Sequence, residues 1–255
     1  MEKLNLRQTL AMTILKIVYV TVGIYLLLLA LLFLFQRSLI YMPTPAYQHS
    51  YKQISVASGK HTIEVIILNK GRERGLIYFG GNAEAVVANA REFAEQFEDL
   101  SVYLVNYRSY GGSTGEPSEQ GLFADALNVF DHVAQDHTQV AVMGRSLGSG
   151  VAMHLGAQRD VSHIILVTPY DSIEAIAKSQ FPIFPISMLL KDKFDSMSLA
   201  SRVSAPVLLI AGGNDTLIPL QHSQRLASAL GPESAQLIII EQAGHNDISL
   251  FPEFY

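Results

Sequence analysis

The chain has 255 residues, of which 49% are apolar and only 16% are charged, and its formal net charge is −5. So low a charged fraction excludes an ordinary disordered chain or a coiled coil, and the length suits one large domain or two small ones. The acidic balance argues against a nucleic-acid partner, which needs a basic surface. The absence of cysteine excludes a disulfide scaffold, a cysteine nucleophile and thiolate metal sites.

The N-terminal part contains a long apolar run. Residues 17–35 read IVYVTVGIYLLLLALLFLF, 19 residues without a charge. As a helix this run spans roughly 28 Å, close to the hydrocarbon thickness of a bilayer. A cleaved signal peptide is the alternative, but the run exceeds the usual apolar length and no A-x-A-like site follows. We therefore predict a leader and an uncleaved single-pass transmembrane helix in residues 1–36, and a globular domain in residues 37–255.

The distribution of charge indicates an orientation for this helix. Residues 1–36 hold three cations (Lys3, Arg7 and Lys16) and one anion, whereas the remainder holds 15 cations and 22 anions. Arg37 alone lies close behind the apolar run. The positive-inside rule then predicts a cytoplasmic N-terminus and a catalytic domain on the non-cytoplasmic side.

Beyond the anchor, short β-rich runs alternate with longer helical patterns. This alternation predicts a mainly parallel α/β sheet with an antiparallel start. Unbroken runs such as VAVM and VLLI suit strands that helices cover on both faces. The predicted strands are 53–57, 62–69, 76–79, 101–106, 139–143, 163–167, 206–211 and 236–240. The predicted helices are 83–97, 119–135, 146–158, 220–230 and a short one near the C-terminus.

A G-x-S-x-G motif stands where a predicted strand meets a predicted helix. Residues 144–150 read GRSLGSG, and the strand–turn–helix context is that of a nucleophile elbow. The strand and the helix crowd the positions two before and two after the serine, where only small residues fit. The turn would expose the hydroxyl of Ser146 at a helix N-terminus. A tight turn without catalytic function is the alternative.

A serine nucleophile needs a base, and the base needs an orienting carboxylate. In this fold type the chain order is serine, acid, histidine. Asp215 follows the strand VLLIA, and His245 follows the strand LIIIE, so we predict these as acid and base. Asp171 is the rival acid and His222 the nearest rival base. The other histidines are interpreted as surface or packing residues: His49, His61, His132, His137, His154 and His163.

The oxyanion of an acyl-transfer intermediate needs backbone N–H donors. We predict one donor at Leu147, directly after the nucleophile, and a second at Asn82, with Ala83 as the neighbouring possibility. The Gly-rich stretch 106–118 lacks a P-loop ending and is interpreted as a rim loop, with Ser118 or Glu119 opening the next helix. No motif with metal-ligand spacing occurs, so we predict neither metal nor cofactor.

An insertion at about 172–202 precedes the acid strand. Its stretch 179–190, SQFPIFPISMLL, is almost wholly apolar, and two prolines break any long helix. A packed connecting helix is the favoured interpretation, since apolar stretches are usually buried. A cap that forms an acyl-chain pocket or touches lipid is the alternative.

Together these motifs resemble the alpha/beta-hydrolase superfamily. The elbow GRSLGSG, the loop YFGGNAE, the stretch NYRSYGGSTGEPSE, the acid loop GGNDTLIP and the base loop AGHND carry the resemblance, which is closest to membrane-anchored serine aminopeptidase-like or acyl-thioesterase-like hydrolases. Two residues depart from it. Many relatives have His where Gly80 stands, and Gly where Ser109 stands.

The resemblance implies hydrolysis of an ester, a thioester or an amide. The anchor and the apolar insertion favour a small-molecule or lipidic acyl ester or thioester as substrate. A serine peptidase of the same fold is the first alternative, and a non-catalytic, membrane-tethered binding protein is the second.

Overall fold

The expected β-α alternation is present in the computed structural model, which describes residues 2–254 and the side chains of residues 8–254. The strands are β1 (Lys52–Ser58), β2 (His61–Leu68), β3 (Arg74–Phe79), β4 (Leu100–Val105), β5 (Gln139–Arg145), β6 (Ile164–Val167), β7 (Val207–Gly212) and β8 (Ala235–Ile240). The helices are α1 (Glu2–Ile40), α2 (Ala90–Gln96), α3 (Glu119–Val133), α4 (Leu147–Gly156), α5 (Ile173–Gln180), α6 (Ile186–Leu189), α7 (Ser196–Leu199) and α8 (Leu220–Leu230). Single 3₁₀ turns occur at Val86–Asn89, Ala134–Asp136, Ala200–Arg202, Ile248–Leu250 and Pro252–Phe254.

The eight strands form one sheet in the order β1-β2-β4-β3-β5-β6-β7-β8. β2 is antiparallel to β1 and to β4, and the other neighbouring pairs are parallel. This is the alpha/beta-hydrolase fold, with the antiparallel start that the sequence predicts. The carboxyl ends of β3, β5, β7 and β8 meet at one edge of the sheet, where such folds bind ligands.

The sheet is covered on both faces. In β3, Ile77 and Phe79 belong to one apolar cluster, whereas Leu76 and Tyr78 belong to the cluster on the opposite face. Successive side chains of a strand point to opposite faces, so the unbroken apolar runs fill two cores. This burial fixes the register of the strands and therefore the positions of the loops that follow them.

Helix α1 stands largely apart from the core. Its stretch Gln8–Ile40 is long and apolar enough to cross a membrane, by length and composition, and most of its side chains are exposed. The helix continues to Ile40 without a break at residue 36. The leader cations Lys3 and Arg7 lie outside the residues whose side chains the structure describes.

The structure corrects two expectations. The predicted helix 83–97 begins only at Val86, as a 3₁₀ turn that leads into α2. Ala83 has a φ of 58°, a left-handed conformation that is incompatible with a right-handed helix. The helix therefore cannot begin at residue 83.

The favoured interpretation of stretch 179–190 as a packed connecting helix is also wrong. α5 holds no buried residue, α6 buries only Ile186, and large apolar side chains between and within them face outward. The prolines at positions 182 and 185 split the stretch into two short pieces. Neither piece is long enough to lie across the sheet and bury a continuous face.

Candidate active site

Ser146 stands between β5 and α4, with φ 50° and ψ −114°. A non-glycine residue in this region is strained, and the turn is held by the neighbouring backbone. A Cβ added at Gly148 would collide with the backbone of Phe79 and Gly80, and one added at Gly144 would collide with the backbone of Gly148. Only glycine therefore fits at these two positions, as the motif predicts, and the turn leaves the hydroxyl of Ser146 accessible.

His245 joins the serine to a carboxylate. Its Nε2 lies 2.9 Å from Oγ of Ser146, and its Nδ1 lies 2.7 Å from Oδ2 of Asp215. The other carboxylate oxygen, Oδ1, accepts hydrogen bonds from the backbone N–H groups of Leu217 (2.9 Å) and Ile218 (2.7 Å). These bonds hold the carboxylate in the position from which Oδ2 reaches Nδ1. With the ring proton on Nδ1, Nε2 can accept the proton of the serine hydroxyl.

The rival acid and the rival base are paired with each other. Oδ1 of Asp171 lies 2.7 Å from Nδ1 of His222, and Oδ2 accepts a 2.7 Å bond from Nε of Arg225. Asp171 and His222 are both buried, 3% and 4% exposed. This cluster ties α8 to the end of β6. Neither residue has a described contact with Ser146.

The loop between β3 and the first 3₁₀ turn lies against the nucleophile. A Cβ added at Gly81 would stand 3.6 Å from Cβ of Ser146. The side-chain oxygen of Asn82 accepts hydrogen bonds from the backbone N–H of Met42 (2.8 Å) and from the hydroxyl of Tyr110 (2.7 Å). The side chain is thus used to hold the loop, and the backbone remains beside Ser146. Leu147 is the first residue of α4, where N–H groups have no partner within the helix.

Two tyrosines hold the loop that contains Gly80 and Asn82. Tyr107 donates to the carbonyl of Gly80 at 2.7 Å, and burial raises the pKa of Tyr107 well above its usual range. Burial also raises the pKa of Tyr110 to about 12. Both hydroxyls are therefore protonated at neutral pH and act as fixed donors.

Glu84 has a role that sequence reasoning missed. Its carboxylate accepts hydrogen bonds from the backbone N–H of Gly81 and from the hydroxyl of Tyr78, both at 2.7 Å, and lies 3.8 Å from the guanidinium of Arg145. It fixes the loop that contains Gly81 and Asn82, in a chain that has Gly80 where many relatives have His. The signal was the spacing: a Glu three residues after Gly81 can reach back to its N–H, as in a capping box.

The rim loop contains the second departure from the resemblance. Ser109 has a φ of 65°, the left-handed region that favours glycine, and its hydroxyl donates to the carbonyl of Gly115 at 2.6 Å. The hydrogen bond compensates for part of the strain. Ser118 opens α3 as its N-cap and accepts from the N–H of Gly121.

An apolar cavity of about 290 Å³ opens onto Ser146. One wall is the end of α1, and the opposite wall is the segment that includes α5 and α6. None of the lining residues in the described part of the chain is Asp, Glu, Lys, Arg or His. The lining residues are Leu32, Gln36, Leu39, Ile40, Asn82, Ser146, Leu147, Tyr170, Ile173, Ile176, Ala177, Gln180, Phe181, Ile186, Leu189, Leu190, Leu217 and Ile218.

A serine on a sharp strand-to-helix turn of a mostly parallel sheet defines the class of alpha/beta hydrolases. The family model of serine hydrolases matches residues 123–250. Rv2307c, an uncharacterized protein of Mycobacterium tuberculosis, is 34% identical over 234 residues, 84% of this chain and 82% of that protein. The chain therefore belongs to the serine-hydrolase family of alpha/beta hydrolases.

Two further similarities concern the membrane and the fold. The uncharacterized membrane protein YNL320W of Saccharomyces cerevisiae is 30% identical over 164 residues, 61% of this chain and 57% of that protein. The solved esterase Pf2001 of Pyrococcus furiosus matches with a TM-score of 0.67 at 18% identity, over 84% of this chain and 95% of that one. At this identity the similarity shows a common fold.

Proposed function

We propose that this protein is a membrane-anchored serine hydrolase that cleaves an acyl ester or thioester. The observation that carries the proposal is the contact chain Ser146–His245–Asp215, at 2.9 and 2.7 Å, beneath an uncharged cavity. The family supports hydrolysis as the reaction class.

In the proposed mechanism Ser146 attacks the acyl carbonyl and His245 takes its proton. His245 then protonates the leaving alcohol or thiol, while Asp215 orients the ring and stabilises its charged form. The backbone N–H groups of Leu147 and Asn82 hold the oxyanion. A water molecule, deprotonated by His245, releases the acyl group and restores the serine. No metal or cofactor takes part in these steps.

The composition of the cavity favours an acyl substrate over a peptide. An aminopeptidase needs a carboxylate to bind the charged amino terminus of its substrate, whereas the cavity wall carries no acidic or basic side chain in the described residues. An apolar wall suits a hydrocarbon chain. The absence of charge among the described residues of the cavity wall supports ester or thioester cleavage.

The proposal includes the anchor and its orientation. Helix α1 would span the membrane once, with Lys3, Arg7 and Lys16 on the cytoplasmic side and the catalytic domain on the other. Because the chain has no cysteine, Ser228→Cys on the exposed side of α8 places a single thiol on the domain. A membrane-impermeant maleimide should label this thiol in intact cells. Labelling only after lysis would reverse the orientation.

The catalytic proposal is tested with a fluorophosphonate probe on the full-length protein. Wild type and the control Ser228→Ala should label, whereas Ser146→Ala should not. Hydrolysis of p-nitrophenyl esters by Ser146→Ala should fall at least about 10³-fold. Equal labelling of wild type and Ser146→Ala would remove Ser146 from the mechanism, and no labelling of either would favour the non-catalytic binding protein. A parallel assay measures the hydrolysis of aminoacyl arylamides. Cleavage of these amides in preference to the esters would favour the serine peptidase alternative.

A further inference from the structure

The segment 173–190 is attached to the membrane-spanning part of α1 as well as to the domain. The hydroxyl of Tyr25 donates to the carbonyl of Ile183 at 2.8 Å, and the rings of Tyr25 and Phe184 stack with centroids 5.8 Å apart. Nearer the domain, Gln36 donates to the carbonyl of Leu189 at 3.0 Å and accepts from the N–H of Lys191 at 2.6 Å. The segment therefore runs alongside the helix over several turns.

The position of Tyr25 gives the depth of this contact. Tyr25 lies ten residues before the end of the uncharged run 17–35, which is about 15 Å along a helix. If α1 spans a bilayer, the level at which Ile183 touches it is inside the hydrocarbon. The tip of the segment then faces lipid.

The surface of the tip is suited to that environment. Phe181, Ile183 and Met188 are 47%, 71% and 85% exposed. Two of the ten residues 181–190 are prolines, so the stretch has eight backbone N–H groups. Six of these donate to carbonyls within the segment: those of Phe181, Phe184, Ile186, Met188, Leu189 and Leu190. Backbone groups in hydrocarbon must find partners inside the protein. The segment meets this requirement for most of its donors.

Charged groups lie at the base of the segment. Glu174 pairs with Nζ of Lys178 at 2.6 Å and with Nζ of Lys193 at 2.9 Å, and Arg37 pairs with Asp192. Polar groups thus gather near the end of the apolar run of α1. This level corresponds to the head-group region, and the apolar tip extends from it toward the bilayer centre.

The cavity lies between the same two elements. Leu32 and Gln36 on α1 face Ile176 and Leu189 on the segment, and Ser146 lies at the inner end. We propose that residues 181–190, the apolar tip of this segment, enter the bilayer beside α1, and that the substrate is an acyl lipid of that bilayer, whose chain passes between the two elements to Ser146. This inference rests on the proposed function and names its substrate class.

The first test measures the depth of the segment directly. The chain has no tryptophan, so Ile183→Trp, Met188→Trp and the control Leu250→Trp each carry one fluorophore. Leu250 is 81% exposed and lies in the 3₁₀ turn that follows β8. In the full-length protein in phosphatidylcholine vesicles, lipids brominated on their acyl chains should quench the first two variants and leave the control unchanged. Unquenched Ile183→Trp and Met188→Trp would overturn the inference, and a concentration-dependent change instead would assign the tip to a second copy of the chain.

The second test separates access from chemistry. Met188 does not line the cavity, and Met188→Glu places a charge on the proposed lipid face. Hydrolysis of a long-chain ester held in vesicles should fall at least about tenfold, whereas hydrolysis of soluble p-nitrophenyl acetate and fluorophosphonate labelling should stay at wild-type levels. Equal vesicle hydrolysis by both proteins would contradict membrane access. If wild type neither reacted with the fluorophosphonate nor cleaved either ester, the result would instead contradict the proposed function.

Discussion

Arg37, in the last turn of α1, forms a two-point ion pair with Asp192. Nε lies 2.8 Å from Oδ2, and Nη2 lies 3.2 Å from Oδ1. Tyr41 donates to Oδ2 as well, at 3.2 Å. The carboxylate is 4% exposed, whereas the Arg37 side chain is 49% exposed. The pair joins α1 to the domain beside the cavity, so we expect it to affect both stability and the shape of the cavity.

Arg37→Gln should lower the stability of the domain. The change leaves a buried carboxylate with one fewer partner, and we expect a loss of about 1–2 kcal/mol after allowing for the exposure of the guanidinium. Thermal unfolding in detergent micelles measures it. Arg91→Gln, which breaks an exposed pair with Glu95, should change the melting temperature little. Equal effects of the two variants would show that Asp192 does not depend on Arg37.

Two of the buried aspartates, Asp215 and Asp171, should respond differently to removal of their charge. Asp215→Asn disturbs the orientation of His245, and kcat on soluble esters should fall about 10²–10⁴-fold with little loss of stability. Asp171→Asn removes the negative charge and leaves one acceptor oxygen where His222 and Arg225 now use two. It should lower the melting temperature and leave kcat within a few-fold of wild type at low temperature. The opposite pattern would exchange the roles of the two residues.

Glu84→Gln tests the positioning of the loop that contains Gly81 and Asn82, the proposed oxyanion donor. The amide has one acceptor oxygen, whereas the N–H of Gly81 and the hydroxyl of Tyr78 now use two. The loop should therefore become more mobile, and kcat should fall about tenfold or more with KM nearly unchanged. Glu95→Gln, exposed on α2, is the matched control. A change in melting temperature without a change in kcat would restrict Glu84 to a structural role.

His154 should make stability depend on pH. Its ring stacks on Phe123 with centroids 3.8 Å apart, and burial, assisted by the charge of Arg202, lowers the pKa of His154 from 6.5 to about 4. The unfolded chain therefore binds more protons than the folded chain between these two pH values. The contribution of neutral His154 is fully present above pH 6.5 and is lost as pH falls toward 4.

His154→Phe keeps the stacking and removes the titration. Denaturant midpoints in micelles, measured between pH 4 and 7, should fall less steeply with acidification for this variant than for wild type. His132→Gln, on the exposed side of α3, should retain the wild-type slope. Parallel curves for wild type and His154→Phe would assign the acid sensitivity to other groups.

Much of the site could be predicted because its information is local. A glycine pattern at a strand end selected Ser146, and strand-end placement with chain order selected Asp215 and His245. The structure brings these three side chains into contact, and their catalytic roles remain predictions. The steric reason for the elbow glycines depends on a few neighbouring residues, so the motif itself contains it.

Other features depend on which distant residues meet. The residues around Asp171 do not predict that its carboxylate will bond to His222 and Arg225. Residues 32–40 likewise do not predict that they will form a wall of the cavity. The apolar stretch 179–190 was expected to pack in the core, whereas its large apolar side chains are exposed. Hydrophobicity indicates that a segment avoids water, but it does not indicate what will cover that segment.

From its order of residues alone, the chain determined the long apolar N-terminal helix, the mostly parallel sheet and the candidate catalytic side chains, because these follow from local composition, periodicity and turn chemistry. Tertiary structure decided that α1 and the insertion enclose the approach to Ser146, and that Glu84 holds the loop beside it. Those outcomes arise from contacts between residues up to about 160 positions apart, such as Tyr25 with Ile183. Such contacts form only when the packed sheet has set the distances between its loops.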